Sequence, residues 1–590
     1  MRSRKPLLVA AAAVAALTLA ACGGTDNSGA SSSAGQPAGS GGAATSGGAS
    51  SSGGAPASSG AGLPSGGYTA TPPAPGEKPD SNGRYGGTMT VAYAGNPKTF
   101  DPAVCYDSVC WNNMRMLFDR LYDYVGSTSN LVPQAAAAMP KISADGLTYD
   151  IDIRPGMKFS NGAPVTAKDF VYSYSRILDP ATKSPVVSFW SGVAGAEAYA
   201  KNPTGSVSGI KAVSDSKLEI KLTAPNSTFK YVLAMPHSSV IPDGSGPDQA
   251  TKPVGSGPFT LSEYTAGQQI VLNRNAGYWD SPRPYVDQVV EKLGIDPQVQ
   301  VLELQKGQLD LMGDPIPPAQ FLQVTTDPSL KDQLVTITKP STYFLTMNVK
   351  KAPFDNPKVR EAVSYAIDRA FLLRLINGQG SVANEFLPPG IAGYSTDEMV
   401  HAQDIEKGKQ LLAEAGYPNG LTTDLYSWNT PPFTALDPQI QQDLAKIGIK
   451  VNVKAVTQSA FNEVASDPDK SPMTVAFWVA DFPDGSNFYG ALLSCAAAIP
   501  GGQNYSFYCN KDVDDLVKKA LATNDADQIS QLYKEAGTKM LADNPVVPMY
   551  YGSKTEVFGK NVGGYHPQPI WGWDMANYWK ADGSTTPPGN

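Results

Sequence analysis

Three histidines, His237, His401 and His566, are scattered through 590 residues. None stands in the H-E-x-x-H spacing that sets two imidazoles on one helical face. Each reads as a surface or satisfied core residue. The folded body contains neither a G-x-x-x-x-G-K-[ST] phosphate loop nor a G-x-S-x-G nucleophile elbow. Paired acids such as Asp150 with Asp152, or Asp514 with Asp515, read as solvated faces. No catalytic residue, cofactor or metal site is expected, so the chain is not read as an enzyme.

The cysteines carry more information. Cys22 follows Leu19-Ala20-Ala21 where an apolar run ends, and four others remain: Cys105, Cys110, Cys495 and Cys509. An even number in an exported chain reads as disulfides. Of three connectivities, the local one, Cys105 with Cys110 and Cys495 with Cys509, needs the least rearrangement. Metal ligation is the rival, but no histidine lies nearby and neither spacing is C-x-x-C.

The start of the chain explains Cys22. Residues 1–5 are basic, and Leu7 to Ala21 is a run of apolar or small residues. It is shorter than the roughly 20 residues of a spanning helix and fits a secretory h-region. Residues 1–21 are therefore expected to be a leader, and Leu19-Ala20-Ala21-Cys22 resembles the lipobox of bacterial lipoproteins. From residue 22 to 84 the composition turns to Gly, Ser, Ala, Thr and Pro, which cannot bury enough surface to offset ordering. This segment is expected to be a disordered tether, with a reach on the order of 45 Å.

The formal charge is −8 and becomes more negative once Arg2, Arg4 and Lys5 leave with the leader. Nucleic acid is not an expected partner, since phosphate binding needs a basic surface. Charged residues make up only 17%, while Tyr 27 and Trp 8 are plentiful. Aromatic groups with polar tips suit a binding cleft. So long a chain also exceeds what one core can hold.

After the tether, alternating patterns predict strands at 86–93, 147–153, 217–222, 269–273 and 450–456. Thr166 and Asp169 are spaced as a capping box. Asn356-Pro357 opens a helix expected to place Val359, Val363, Ile367, Ala370 and Leu373 on one buried face. Further helices are expected at 404–415, 437–447, 512–522 and 526–542. The intermixing defines an α/β class.

Several blocks resemble the peptide and nickel family of ABC-importer solute-binding proteins. One runs from Asp145-Gly146-Leu147-Thr148-Tyr149 to Asp169. A second joins Gly255-Ser256-Gly257-Pro258-Phe259 to Arg274-Asn275-Ala276-Gly277-Tyr278-Trp279. A third holds Asn348, Pro353-Phe354-Asp355, Val359-Arg360-Glu361-Ala362 and Ala366-Ile367-Asp368-Arg369. The resemblance covers nearly all of the folded body. It implies a two-lobed periplasmic-binding-protein-like α/β clamp, with lobe I at 85–338 carrying an extra subdomain. Lobe II would span 339–547, with a return to lobe I and a tail at 548–590.

Within this pattern, Phe477 to Phe488 resembles the segment of dipeptide- and oligopeptide-binding members whose aspartate pairs with the ligand ammonium. In the dipeptide-binding members that acid stands 14 positions before a cysteine in a Leu-x-Ser-Cys context. Asp481 stands 14 before Cys495 in Leu492-Leu493-Ser494-Cys495. Asp481 is thus the expected ammonium partner, with Asp484 as fallback. Trp478 and Phe488 are expected to line a side-chain pocket, and Asn487 to hydrogen-bond ligand backbone. No residue is matched to the ligand carboxylate.

The resemblance implies a lipid-anchored monomer on the extracytoplasmic face of the bacterial cell membrane. It would pass short peptides to an ABC permease and ATPase. Alternatives are an oligosaccharide, haem or metal-chelate cargo, or a peptide-sensing lipoprotein. Scarce histidines disfavour nickel, and a sugar binder should lose the acid.

Overall fold

The computed structural model describes residues 67–68, 74–570 and 572–587, all within the compact unit Ala61–Asn590. The leader, Cys22 and most of the expected tether lie outside the described residues.

The chain forms a two-lobed α/β clamp. In lobe I a five-stranded sheet runs in the order Leu311–Met312, Thr88–Tyr93, Gln288–Leu293, Gln269–Arg274, Phe259–Thr265. Thr88–Tyr93 pairs parallel with Gln288–Leu293, and Gln269–Arg274 pairs antiparallel with both of its neighbours. The period of two sends Met89, Val91 and Tyr93 inward to meet Ile270, Leu272 and Val289.

The glycine block at 255–257 has a steric origin. A Cβ at Gly255 would sit 1.9 Å from the Leu117 carbonyl oxygen, and one at Gly257 2.5 Å from the Leu117 carbonyl carbon. Only glycine lets the two backbones touch. Asn275 locks the approach by donating from Nδ2 to the Gly257 carbonyl at 2.8 Å.

A second sheet with its own core sits inside lobe I. It orders Lys141–Ile142, Thr148–Asp152, Lys217–Lys221 and Ile210–Ser214. Tyr149 and Ile151 alternate inward against Leu218, Ile220 and the helix Ala167–Leu178 through Phe170 and Tyr174. That helix opens at Thr166, whose backbone N–H and hydroxyl both donate to the Asp169 carboxylate, at 2.7 and 2.8 Å.

Lobe II is built on a six-stranded sheet whose two long strands, Leu334–Met347 and Val546–Val557, also reach lobe I. Val335 packs in the lobe I core, whereas Leu345 and Met347 pack in lobe II. The pairing of these strands shifts between Thr338 and Thr342. Pro340 lies in that gap and has no N–H to donate to the ladder. The paired strands thus cross between the lobes where the ladder is weakest, which is where a hinge belongs.

Met549 and Tyr550 pack in the lobe II core. One expectation needs correction. The helix expected to run through Leu373 is two helices, Pro357–Ala366 and Arg369–Leu375. Asp368 breaks it by capping the Phe371 N–H at 2.8 Å. The break turns the buried face, so Leu372 goes inside and Ala370 faces solvent.

Cys105 is bonded to Cys110 and Cys495 to Cys509. No described helix is long and apolar enough to cross a membrane.

Candidate ligand-binding site

The strand Met473–Val479 is the central neighbour of the crossing strand Leu334–Met347. Ala480 continues that pairing by donating its N–H to the Pro340 carbonyl at 2.9 Å. The next residue, Asp481, therefore leaves the sheet at the crossing level, on the lobe II side of the gap. A cavity of about 780 Å³ opens there. Tyr106, Pro185, Ser188 and Phe189 of lobe I line it together with lobe II residues that include Trp478, Asp481 and Asn487.

Asp481 is gripped from both lobes. Its Oδ1 accepts from the Tyr106 hydroxyl at 2.9 Å, and its Oδ2 accepts from Asn487 Nδ2 at 3.1 Å. Asn487 Oδ1 in turn accepts from the Asp481 N–H at 3.0 Å and from Trp478 Nε1 at 2.9 Å. Every polar atom of that amide is occupied in fixing the acid and the indole. Burial raises the Asp481 carboxyl above the ordinary carboxylate range, an effect that the Asn487 and Tyr106 hydrogen bonds only partly offset. Part of its surface faces the cavity.

Asp484, three residues on, has a different environment. Its Oδ1 accepts from the Tyr533 hydroxyl at 2.6 Å and from the Ser486 N–H at 2.9 Å. It is 4% exposed and does not line the cavity, so it ties the segment to the helix Ala526–Asp543 that carries Tyr533. Phe488 does not line it either. It is fully buried and packs edge-on against Phe386, ring centroids 5.9 Å apart. The helix Ser486–Leu492 turns Asn487 toward Asp481 and sends Phe488, the next residue, into the lobe II core.

Sequence reasoning missed Tyr106 and most of the aromatic wall. Trp428, at the end of the strand Leu421–Trp428, meets Phe433 at 5.4 Å, Phe477 at 5.2 Å and Phe461 at 6.2 Å; Phe461 meets Tyr505 at 5.6 Å. These rings come from separate elements and share no motif. Tyr106 had a signal, its place inside the Cys105–Cys110 loop.

The lobes touch elsewhere too. Phe482 of lobe II stacks on Tyr231 of lobe I at 6.1 Å, and the Ser227 N–H donates to the Leu521 carbonyl at 2.8 Å. The histidines take no part in the polar grip on Asp481. Burial lowers His237 to about 3, which keeps it neutral, and His401 stacks on Tyr365 at 4.2 Å. Among the described residues no group of three or more His, Cys, Asp or Glu is placed to hold a metal.

A walled cavity between two lobes that share crossing strands, with an acid inside and neutral groups holding it, defines a solute-binding clamp. Residues 130–499 match the family model of the bacterial extracellular solute-binding proteins, family 5. The chain belongs to that family. It is 28% identical over 512 residues to the dipeptide-binding protein of Escherichia coli K12, spanning 82% of this chain and 92% of that protein. It is 29% identical over 511 residues to the heme-binding protein A of Haemophilus influenzae, spanning 82% and 91%. Among solved structures, the ABC transporter-associated periplasmic binding protein DppA of Helicobacter pylori, in complex with the peptide STSA, superimposes with a TM-score of 0.69. That pair is 27% identical, and the match covers 85% of this chain and 99% of that one.

Proposed function

We propose that this chain captures short peptides between its lobes and delivers them to an ABC permease and ATPase. It does so as a monomer held by lipid at Cys22 to the extracytoplasmic face of the membrane. The observation that carries the reading is Asp481, a desolvated carboxylate in the interlobe cavity that Tyr106 of lobe I and Asn487 of lobe II both hydrogen-bond. The ammonium of a peptide brings an opposite charge to this carboxylate in a cleft of low dielectric, and lobe I contacts add to it only when the lobes are shut, so the ligand favours the closed state. Trp478 walls the ammonium subsite and Asn487 orients the acid.

Peptide cargo has support from the dipeptide-binding relative and from the relative whose structure is solved in complex with a peptide. Calorimetry with a di- and tripeptide series on the wild-type chain and on Asp481→Ala tests it. Truncating one partner of such a pair costs about 2–5 kcal/mol, roughly 30-fold or more in affinity. Unchanged affinity in the variant would sink the assignment. Lipid attachment is tested separately, by mass spectrometry of the membrane-extracted chain and of Cys22→Ser; an unmodified wild-type Cys22 refutes it.

A further inference from the structure

Phe482, the residue after Asp481, belongs to lobe II by chain but to lobe I by packing. It is 6% exposed and sits in the core of the subdomain inserted in lobe I, not in either lobe II core. Its ring lies parallel to Tyr231 at 6.1 Å and edge-on to Phe189 at 6.5 Å. Those two residues come from the helices Phe229–Val232 and Val187–Trp190, and Phe189 is itself backed by the buried His237, stacked at 5.7 Å. The socket that receives the ring is therefore a feature of lobe I alone. Phe482 and Phe189 also border the ligand cavity, whereas Tyr231 is not among the residues that line it.

The ring is held as firmly from its own side. Asp481 donates its N–H to Asn487, and Asp484 accepts from Tyr533 and the Ser486 N–H, so both flanks fix the turn that carries Phe482. The Asp484 N–H also donates to the Phe482 carbonyl at 2.9 Å. Charge adds to shape. Burial lowers the Lys230 ammonium of the socket helix and raises the Asp484 carboxyl, and the attraction between them across the gap opposes both shifts. When the lobes part, a ring of this size moves from a packed core to water, which disfavours opening by roughly tenfold or more.

We propose that Phe482 and Tyr231 form a closure contact that scales the affinity for every ligand by one common factor, because it changes the population of the shut form and not the bonds to the ligand. A ligand that needs the shut form binds with its intrinsic dissociation constant divided by the fraction of the chain that is shut, and that fraction is the same for all ligands. Tyr231 is thus a positioning residue that acts on binding from outside the cavity. This rests on the capture of peptides between the lobes and not on the role given to Asp481.

Calorimetry with Ala-Ala, Phe-Ala and Ala-Ala-Ala on the full wild-type chain, Tyr231→Ala, Phe482→Ala, the double variant and Tyr231→Phe tests it, with circular dichroism to check each fold. Tyr231→Ala is expected to weaken all three peptides by one shared factor, roughly fivefold. Phe482→Ala should weaken them by roughly tenfold or more. The double variant should lose no more than Phe482→Ala alone, and Tyr231→Phe, which keeps the ring, should match the wild type. With wild-type binding intact, the inference is overturned if Tyr231→Ala leaves the affinities unchanged, if its losses differ from peptide to peptide, or if the two single losses add in the double variant. Should Tyr231→Ala fail to fold, Phe482→Ala decides, since unchanged affinity in it overturns the inference as well. If the wild-type chain binds none of the three, the peptide reading itself fails and takes the inference with it.

Discussion

Two disulfide loops face the same cavity from opposite lobes, and each presents one tyrosine. The Cys105–Cys110 loop of lobe I presents Tyr106, whose hydroxyl donates to Asp481 across the gap. The Cys495–Cys509 loop of lobe II presents Tyr505, whose hydroxyl donates to Gln503 of its own loop at 2.8 Å while its ring packs edge-on against Phe461. The first tyrosine acts by its polar tip and reports whether the lobes are together. The second acts by its ring and belongs to a wall that exists within lobe II alone. Lobe II thus supplies most of the cavity wall, and lobe I supplies the hydrogen bond that crosses the gap.

Breaking the loops separates these roles. Cys495→Ser with Cys509→Ser removes the crosslink of sequence separation 14 and should cost about 3 kcal/mol of stability on the chain-entropy relation. Denaturant unfolding measures it. Cys105→Ser with Cys110→Ser removes a separation of 5 and should cost less, about 2 kcal/mol. It should nevertheless weaken binding at temperatures where the chain stays folded, because Tyr106 is no longer pinned. Equal affinity in that variant would detach the loop from the site.

Acid sharpens the comparison through Asp481. Burial raises its carboxyl, and on the proposed reading an ammonium beside it lowers it again, so the bound form holds fewer protons. Affinity is therefore complete above the raised value and falls as pH drops through it, by up to tenfold, about 1.4 kcal/mol, per pH unit. Calorimetry from about pH 7 down to about pH 4 should show this slope, and Asp481→Asn should flatten it. The smallest expected effects set the two tyrosines against each other. Tyr106→Phe removes the interlobe hydrogen bond and should cost about 1 kcal/mol of affinity. Tyr505→Phe keeps the ring and should leave affinity unchanged.

Much of the scaffold was legible because local sequence dictates it. Thr166 with Asp169 is required by a helix start, and Tyr149 with Ile151 by a half-buried strand. The helix after Asn356 was overextended because a periodic apolar face reads the same whether or not a cap such as Asp368 interrupts it. The same logic separates Asn487 from Phe488. Both lie beside the acid in sequence, but a helix sends neighbouring side chains about 100° apart, one toward the cavity and one into the core. The aromatic wall was illegible because Trp428, Phe461 and Tyr505 become neighbours only through the packing of lobe II, and each alone looks like a core residue.

The most direct test is a crystal structure of the chain with a peptide bound. The expected result is a peptide nitrogen at hydrogen-bond distance from the Asp481 carboxylate, with Tyr106 still reaching across from lobe I. A peptide whose amino terminus lies away from Asp481, or an Asp481 turned out to bulk solvent, would contradict it.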